Sequence, residues 1–189
     1  RPGMRVGGLL AAWATGGFRP YRSEWLGERW SAPQLVPLAG LAENASARIT
    51  WINDAETSCL VEVVQGASGE PTRRLLAGQR GTAKEPWGAL QPVALATGGN
   101  VGDAQRFGKQ LKALVWTVYE ATNSDLWLSQ DSKAGQALEP RINTLGPEYA
   151  PRVGPSNVLY FCRADRQLLF AHGVVQAVRL PGRQRRPLL

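Results

Sequence analysis

Hydrophobic and polar positions alternate in short runs, and the clearest of them fall between Arg48 and Trp87. Ile49, Trp51 and Asn53 take one side of a strand pattern and Thr50 and Ile52 the other. Leu60–Val64 is apolar apart from Glu62, the pattern of a strand buried on both faces. Asn53-Asp54 and Gly66–Pro71 read as turns. Arg73–Leu76 reads as a further strand, closed by Ala77-Gly78-Gln79. Ala89–Leu95 is strand-like, and Pro92 places it at a sheet edge. Asp103–Thr122 carries two signals. Phe107, Leu111, Leu114, Val115 and Val118 have helical spacing behind Asp103 as an N-cap, whereas Leu114–Tyr119 is β-branched and aromatic. We expect a short helix over 103–110, then a hairpin that turns at Thr122–Asp125 into Leu126–Leu128. Val158–Cys162 and Gln167–Ala171 form a second expected hairpin, and Val174–Leu180 adds a third strand. These runs predict a mainly β chain. Its core is β-sandwich-like, built of short antiparallel strands, with at most one or two short helices and long extended termini.

The pattern fades at both ends and in one internal stretch. Residues 1–47 read as an extended aromatic and basic arm. Trp13, Trp25 and Trp30 are interleaved with Arg19, Arg22 and Arg29, and Pro20, Pro33 and Pro37 forbid a long helix. Ser23 could cap one or two helical turns ending at Trp30. Such an arm cannot bury its indoles within itself, so they pack on the chain's own domain or anchor in a partner. The core spans 48–180 and includes a Pro/Gly-rich excursion at 130–156 with Pro140, Pro147, Pro151 and Pro155. Residues 181–189 form a basic tail, where Arg179, Arg183, Arg185 and Arg186 lie close enough in sequence to meet phosphates or an acidic surface.

Charge bears on partners more than on fold. The 189 residues carry a formal net charge of +7, with a sequence pI near 10.0. That balance permits nucleic acid, an acidic protein surface or lipid as partner without choosing among them. Lysine occurs only at Lys84, Lys109, Lys112 and Lys133, so the other cations are arginine, which suits bidentate pairing and interfaces. Cys59 and Cys162 are the two cysteines; they are free buried thiols or a bridge between sheets. No run reaches the ~18 apolar residues of a membrane helix. Met4 is the sole methionine, and Ala12-Trp-Ala14 follows a short apolar run in the manner of a cleavage site, which raises an organellar location after removal of a targeting peptide. Asn44-Ala-Ser46 fits a glycosylation acceptor if the chain is secreted.

Candidate chemistry is sparse. His172 is the sole histidine and would have to serve any Ser–His or Cys–His system; its place between an apolar run and Gly173 fits a strand end better. Two cysteines and one histidine do not make an ordinary structural zinc site. Asp54, Glu56, Asp125 and Asp131 lack calcium-loop spacing, and Gly98–Gly102 lacks the lysine of a phosphate loop. The sequence therefore nominates no catalytic, cofactor or metal residues. Its candidate site residues are those of partner binding: Trp13, Arg19, Arg22, Trp25, Arg29, Trp30, Arg179, Arg183, Arg185 and Arg186.

Ile49-x-Trp51-x-Asn53, the strand after it, Gly69-Glu-Pro71, Leu75-x-x-Gly78 and Trp87 resemble the β domain of the von Hippel–Lindau tumour suppressor family. The family's β domain recognises hydroxyproline, but the residues that bind it have no counterpart here, so the resemblance implies the sandwich alone. Tyr160, the hairpin after it, His172-Gly-Val174 and Pro181-Gly-Arg-Gln184 are similar in order to the end of another family, the basic stromal subunits of photosystem I on which ferredoxin docks. The expectation from all this is a non-catalytic structural or interaction subunit of a larger assembly, touching neighbouring protein subunits through its arm and tail. The alternatives are an RNA- or DNA-binding accessory protein and a basic docking subunit of a photosynthetic or respiratory membrane complex.

Overall fold

The computed structural model describes residues 7–14, 17–42, 45–66, 71–95, 99–131, 134–154, 157–164 and 174–180. The chain is mainly β and β-sandwich-like, built of antiparallel strands in four sheets. A 3-10 turn at Lys109–Leu111 lies between the strands. Two compact units divide the chain, residues 1–93 and 94–189.

In the first unit, β1 (Gly7–Ala14), β2 (Gly17–Glu24) and β3 (Gln34–Leu35) form one sheet. Next come β4 (Ser46–Ile52), β5 (Ser58–Gln65), β6 (Thr72–Gln79) and β7 (Gln91–Pro92), which form the second. The expected extended arm is thus corrected: β1 and β2 pair antiparallel in unbroken register. Pro20 did not prevent it. In an antiparallel strand a residue's N–H and C=O face the same neighbour. The Pro20 carbonyl accepts the Val36 N–H at 2.9 Å, and the one return bond that proline cannot donate falls where the pairing with β3 ends. Nor does Ser23 cap a helix; its hydroxyl donates to the Ser31 carbonyl at 2.7 Å.

β5 is buried on both faces, as its apolar run requires. Cys59, Val61 and Val63 join Ala45, Ala47, Leu76 and Trp87 in the core of this unit, with Val36, Leu38 and Leu41 packed against them. The β4–β5 turn is set by Asn53, whose Oδ1 accepts from the amides of Thr57 and Ser58 at 2.8 and 2.9 Å. This closed turn offers the backbone a partner that the strand ladder cannot. Gly78 admits Trp87: a Cβ there would lie 3.3 Å from the indole and 2.8 Å from Cys59 Sγ.

In the second unit, β8 (Asn100–Phe107), β9 (Ala113–Tyr119), β10 (Ser124–Ser129) and β11 (Gln136–Ala137) form one sheet. The other holds β12 (Glu148–Val153), β13 (Val158–Arg163) and β14 (Val174–Arg179). The two sheets share a core of Val115, Leu126, Leu128, Ile142, Leu159, Phe161 and Leu180. The helix expected over 103–110 is a strand. β8 is irregular: its register with β9 shifts between Gly102 and Gln105, and Asp103 has φ 52°. The Asp103 carboxylate does not cap a helix; it accepts from the Tyr119 hydroxyl and from the amide of Ala150, the latter at 3.2 Å. The 130–156 excursion is also folded rather than loose. Ile142 is buried, and the Asn143 side chain imitates a strand, accepting from the Leu126 amide at 2.8 Å and donating to the Leu126 carbonyl at 2.9 Å. The second arm of the hairpin expected at 167–171 lies outside the described residues, and β13 pairs with β12 on one side and β14 on the other.

The strands recur in order. β5, β9 and β13 each pair with the strand before and the strand after, and β4, β8 and β12 each carry a register shift. β3, β7 and β11 have two residues each. Corresponding strands return roughly every 45–55 residues, the spacing of a repeated four-stranded meander.

Candidate interaction surface

The loop between β2 and β3 presents the sequence Trp25-Leu-Gly-Glu-Arg-Trp30. Trp25 and Trp30 pair as an isolated antiparallel bridge. The turn closes through Leu26 N–H to Arg29 C=O at 2.9 Å, with Gly27 at φ 100°, a conformation that glycine adopts without a steric cost. The loop base is clamped by Ser31, whose amide donates to the Glu24 carbonyl at 2.8 Å and whose Oγ accepts from the Glu24 amide at 2.9 Å. The two indoles meet edge to face, with ring centroids 5.5 Å apart. Trp25, Leu26 and Trp30 are nevertheless 40, 59 and 48% exposed. Phe18 and Leu35, on strands of the same sheet, are exposed too. A rigid loop that holds three large apolar side chains in water spends hydrophobic free energy that a partner could recover.

The arginines expected beside these tryptophans divide. Arg29 is exposed on the loop. Arg22 instead serves the fold: it donates to Glu24 and Glu56, each at 2.7 Å. Glu56 also receives Arg80 at 3.1 Å, and the Arg80 guanidinium lies 4.2 Å from the centroid of a Trp87 ring. Arg19 is half-buried in β2. Trp13 lies in β1 and Arg179 ends β14. Arg183, Arg185, Arg186 and His172 lie outside the described residues. Leu26, Phe18 and Leu35 were not legible as site residues, since isolated apolar positions in an arm carry no sign of exposure.

The buried charges belong to the scaffold. Glu62 is fully buried; Arg48 reaches its Oε2 at 2.8 Å and Arg73 its Oε1 at 2.5 Å. Glu148 is likewise buried, accepting from Arg163 at 2.8 Å and from the Thr144 hydroxyl at 2.6 Å. A carboxylate can be buried only when such donors replace its water. Burial holds the Asp125 carboxyl above its ordinary range, aided by the negative charges of Glu148 and Glu120. Cys59 and Cys162 are free thiols, and burial pushes Cys59 up to about 11, against smaller opposing effects of the Gly78 amide and Arg80. Cys59 is therefore a core side chain, poorly suited to act as a nucleophile. Among the described residues no three His, Cys, Asp or Glu side chains gather as a metal site, and no helix is long and apolar enough to cross a membrane.

No protein-family model matches the chain, and neither a curated protein nor a solved structure matches it. The functional reading therefore rests on the surface itself.

Proposed function

We propose that the chain is a non-catalytic interaction subunit that docks on a neighbouring protein through the Trp25–Trp30 loop. The observation that supports this reading is the exposed, edge-to-face tryptophan pair on a hydrogen-bonded loop. Tryptophan and arginine supply much of the energy at protein interfaces, and a loop already ordered loses little entropy on docking. A protein partner fits better than nucleic acid. Arg22, Arg48, Arg73, Arg80, Arg141 and Arg163 are all engaged by carboxylates, which leaves less of the positive charge for phosphates.

The test is a photo-crosslinking amino acid placed at Trp30, with Gln91 as the exposed control position. One discrete protein adduct at position 30, and loss of the chain from its high-mass fraction in Trp25→Ser/Trp30→Ser, supports the reading. A chain that sediments as a monomer from its native source and gives no adduct refutes it. Nucleic-acid affinity that falls steeply with salt and survives the double substitution points to the accessory-protein alternative.

A further inference from the structure

A left-handed backbone comes easily to glycine and asparagine, whereas other residues hold it only where their surroundings impose it. In the turn between β4 and β5 that conformation falls to Glu56, at φ 54°. The turn fixes this residue through its backbone. Its amide donates to the Asn53 carbonyl at 2.8 Å, and its carbonyl accepts from Arg80 Nε at 2.5 Å. Asn53 Oδ1 gathers the amides of Thr57 and Ser58, and the Arg80 amide donates to the Thr57 carbonyl at 3.0 Å. The Arg80 side chain is itself seated against Trp87.

Nothing in the turn calls for a glutamate. Its hydrogen bonds run through the backbone and through Asn53, and glycine or asparagine at position 56 would supply the same path with less strain. What the glutamate adds is Oε2, which accepts from Arg80 at 3.1 Å and from Arg22 at 2.7 Å. Arg22 lies on β2, in the other sheet of this unit. Its second nitrogen donates to Glu24 Oε1 at 2.7 Å. Glu24 is the residue whose amide and carbonyl clamp Ser31 at the base of the tryptophan loop. One guanidinium therefore spans from the β4–β5 turn to the foot of that loop.

We infer that Glu56 is a positioning residue for the tryptophan loop: acting through Arg22 and Glu24, it holds Trp25 and Trp30 in the geometry in which they dock. This rests on the reading of the loop as the docking element. A strained residue whose side chain serves a neighbouring element is what a site prepared in advance requires. The strut is an ion pair between partly exposed side chains, so salt weakens it. Docking through an apolar loop thereby acquires a dependence on ionic strength.

The test begins with the isolated chain and needs no partner. Leu26 and Ser31 donate the amide bonds that close the loop, and their hydrogen exchange reports its opening. Glu56→Gln removes the charge and keeps the backbone strain; Glu56→Asn removes the charge and relieves it. Both variants are expected to exchange these two amides at least about threefold faster than wild type, with Val61 and Val63 of β5 unchanged. Sodium chloride at about 1 M speeds the two amides in wild type and not in either variant. The adduct from a crosslinker at position 30 falls in both variants. Loop amides that exchange at the wild-type rate in Glu56→Asn overturn the positioning role and leave the docking reading standing. So does faster exchange with an undiminished adduct. No adduct from the chain with Glu56 intact overturns the docking reading, and this inference with it, whatever the amides show.

Discussion

Glu62 offers the sharpest test of how the first unit is held together. Its carboxylate is fully buried and accepts at 2.8 and 3.1 Å from Arg48 and at 2.5 Å from Arg73. Glu62→Gln keeps the volume but turns one acceptor into a donor that faces a guanidinium. Charge-assisted bonds contribute roughly 1.5–3 kcal/mol each before screening. The arginine side chains are 37 and 25% exposed, so water recovers part of that on their side, and the net cost is about 2 kcal/mol. Arg48→Met or Arg73→Met alone costs about 1 kcal/mol, because the carboxylate keeps its other cation. The double substitution removes both guanidiniums from the buried carboxylate and costs about 4 kcal/mol, well above the sum of the singles. With two compact units, a global melt need not be two-state, so the readout is urea-dependent amide exchange at Cys59–Val63 of β5. Glu62→Gln within about 0.5 kcal/mol of wild type, or an additive double substitution, refutes the assignment of Glu62 as an ion-paired keystone.

Three further outcomes are expected. Gly78→Ala drives a Cβ to 2.8 Å from Cys59 Sγ and 3.0 Å from Leu90 Cδ2, and destabilises by about 1–3 kcal/mol; Cys59→Ala in the same chain relieves part of this, as denaturant midpoints will show. The native Cys59 thiol binds its proton more tightly than the ordinary 9.0, so its contribution is intact below pH 9 and is lost as pH rises toward about 11. That is a fall of up to about 3 kcal/mol; alkaline unfolding of Cys59→Ala lacks it. Trp25→Ser/Trp30→Ser leaves stability within about 1 kcal/mol of wild type, since neither ring belongs to the buried core; a larger loss in a thermal melt would mean that the pair does.

The sequence was most readable where both faces of a strand are buried. Leu60, Val61 and Val63 could belong to nothing else, and Pro92 marked an edge strand correctly. β8 was unreadable because its polar Asp103, Gln105 and Arg106 sit at a register shift, where alternation breaks down. The arm was misread because Pro20 costs little in a strand when the pairing on that side ends at it, as the pairing with β3 does. The tryptophan loop was visible as composition, but Arg22 looked like a partner-binding residue until its two glutamates were placed. The repeat lies in hydrogen-bond order rather than in shared residues, so the letters alone concealed it.

The irregularities in β8 and β12 have a consequence for how the second unit comes apart. Asp103 at φ 52° and Ala150 at φ 53° occupy those two irregular places, and the Asp103 carboxylate binds the Ala150 amide across the gap between their sheets. The amide at the β12 irregularity is thus satisfied by a side chain from the β8 irregularity. If β12 peels away, Asp103 keeps a strained backbone with less to compensate it, and β8 loosens in turn. The two sheets are expected to melt in a single cooperative step, with no half-folded species that retains one sheet alone.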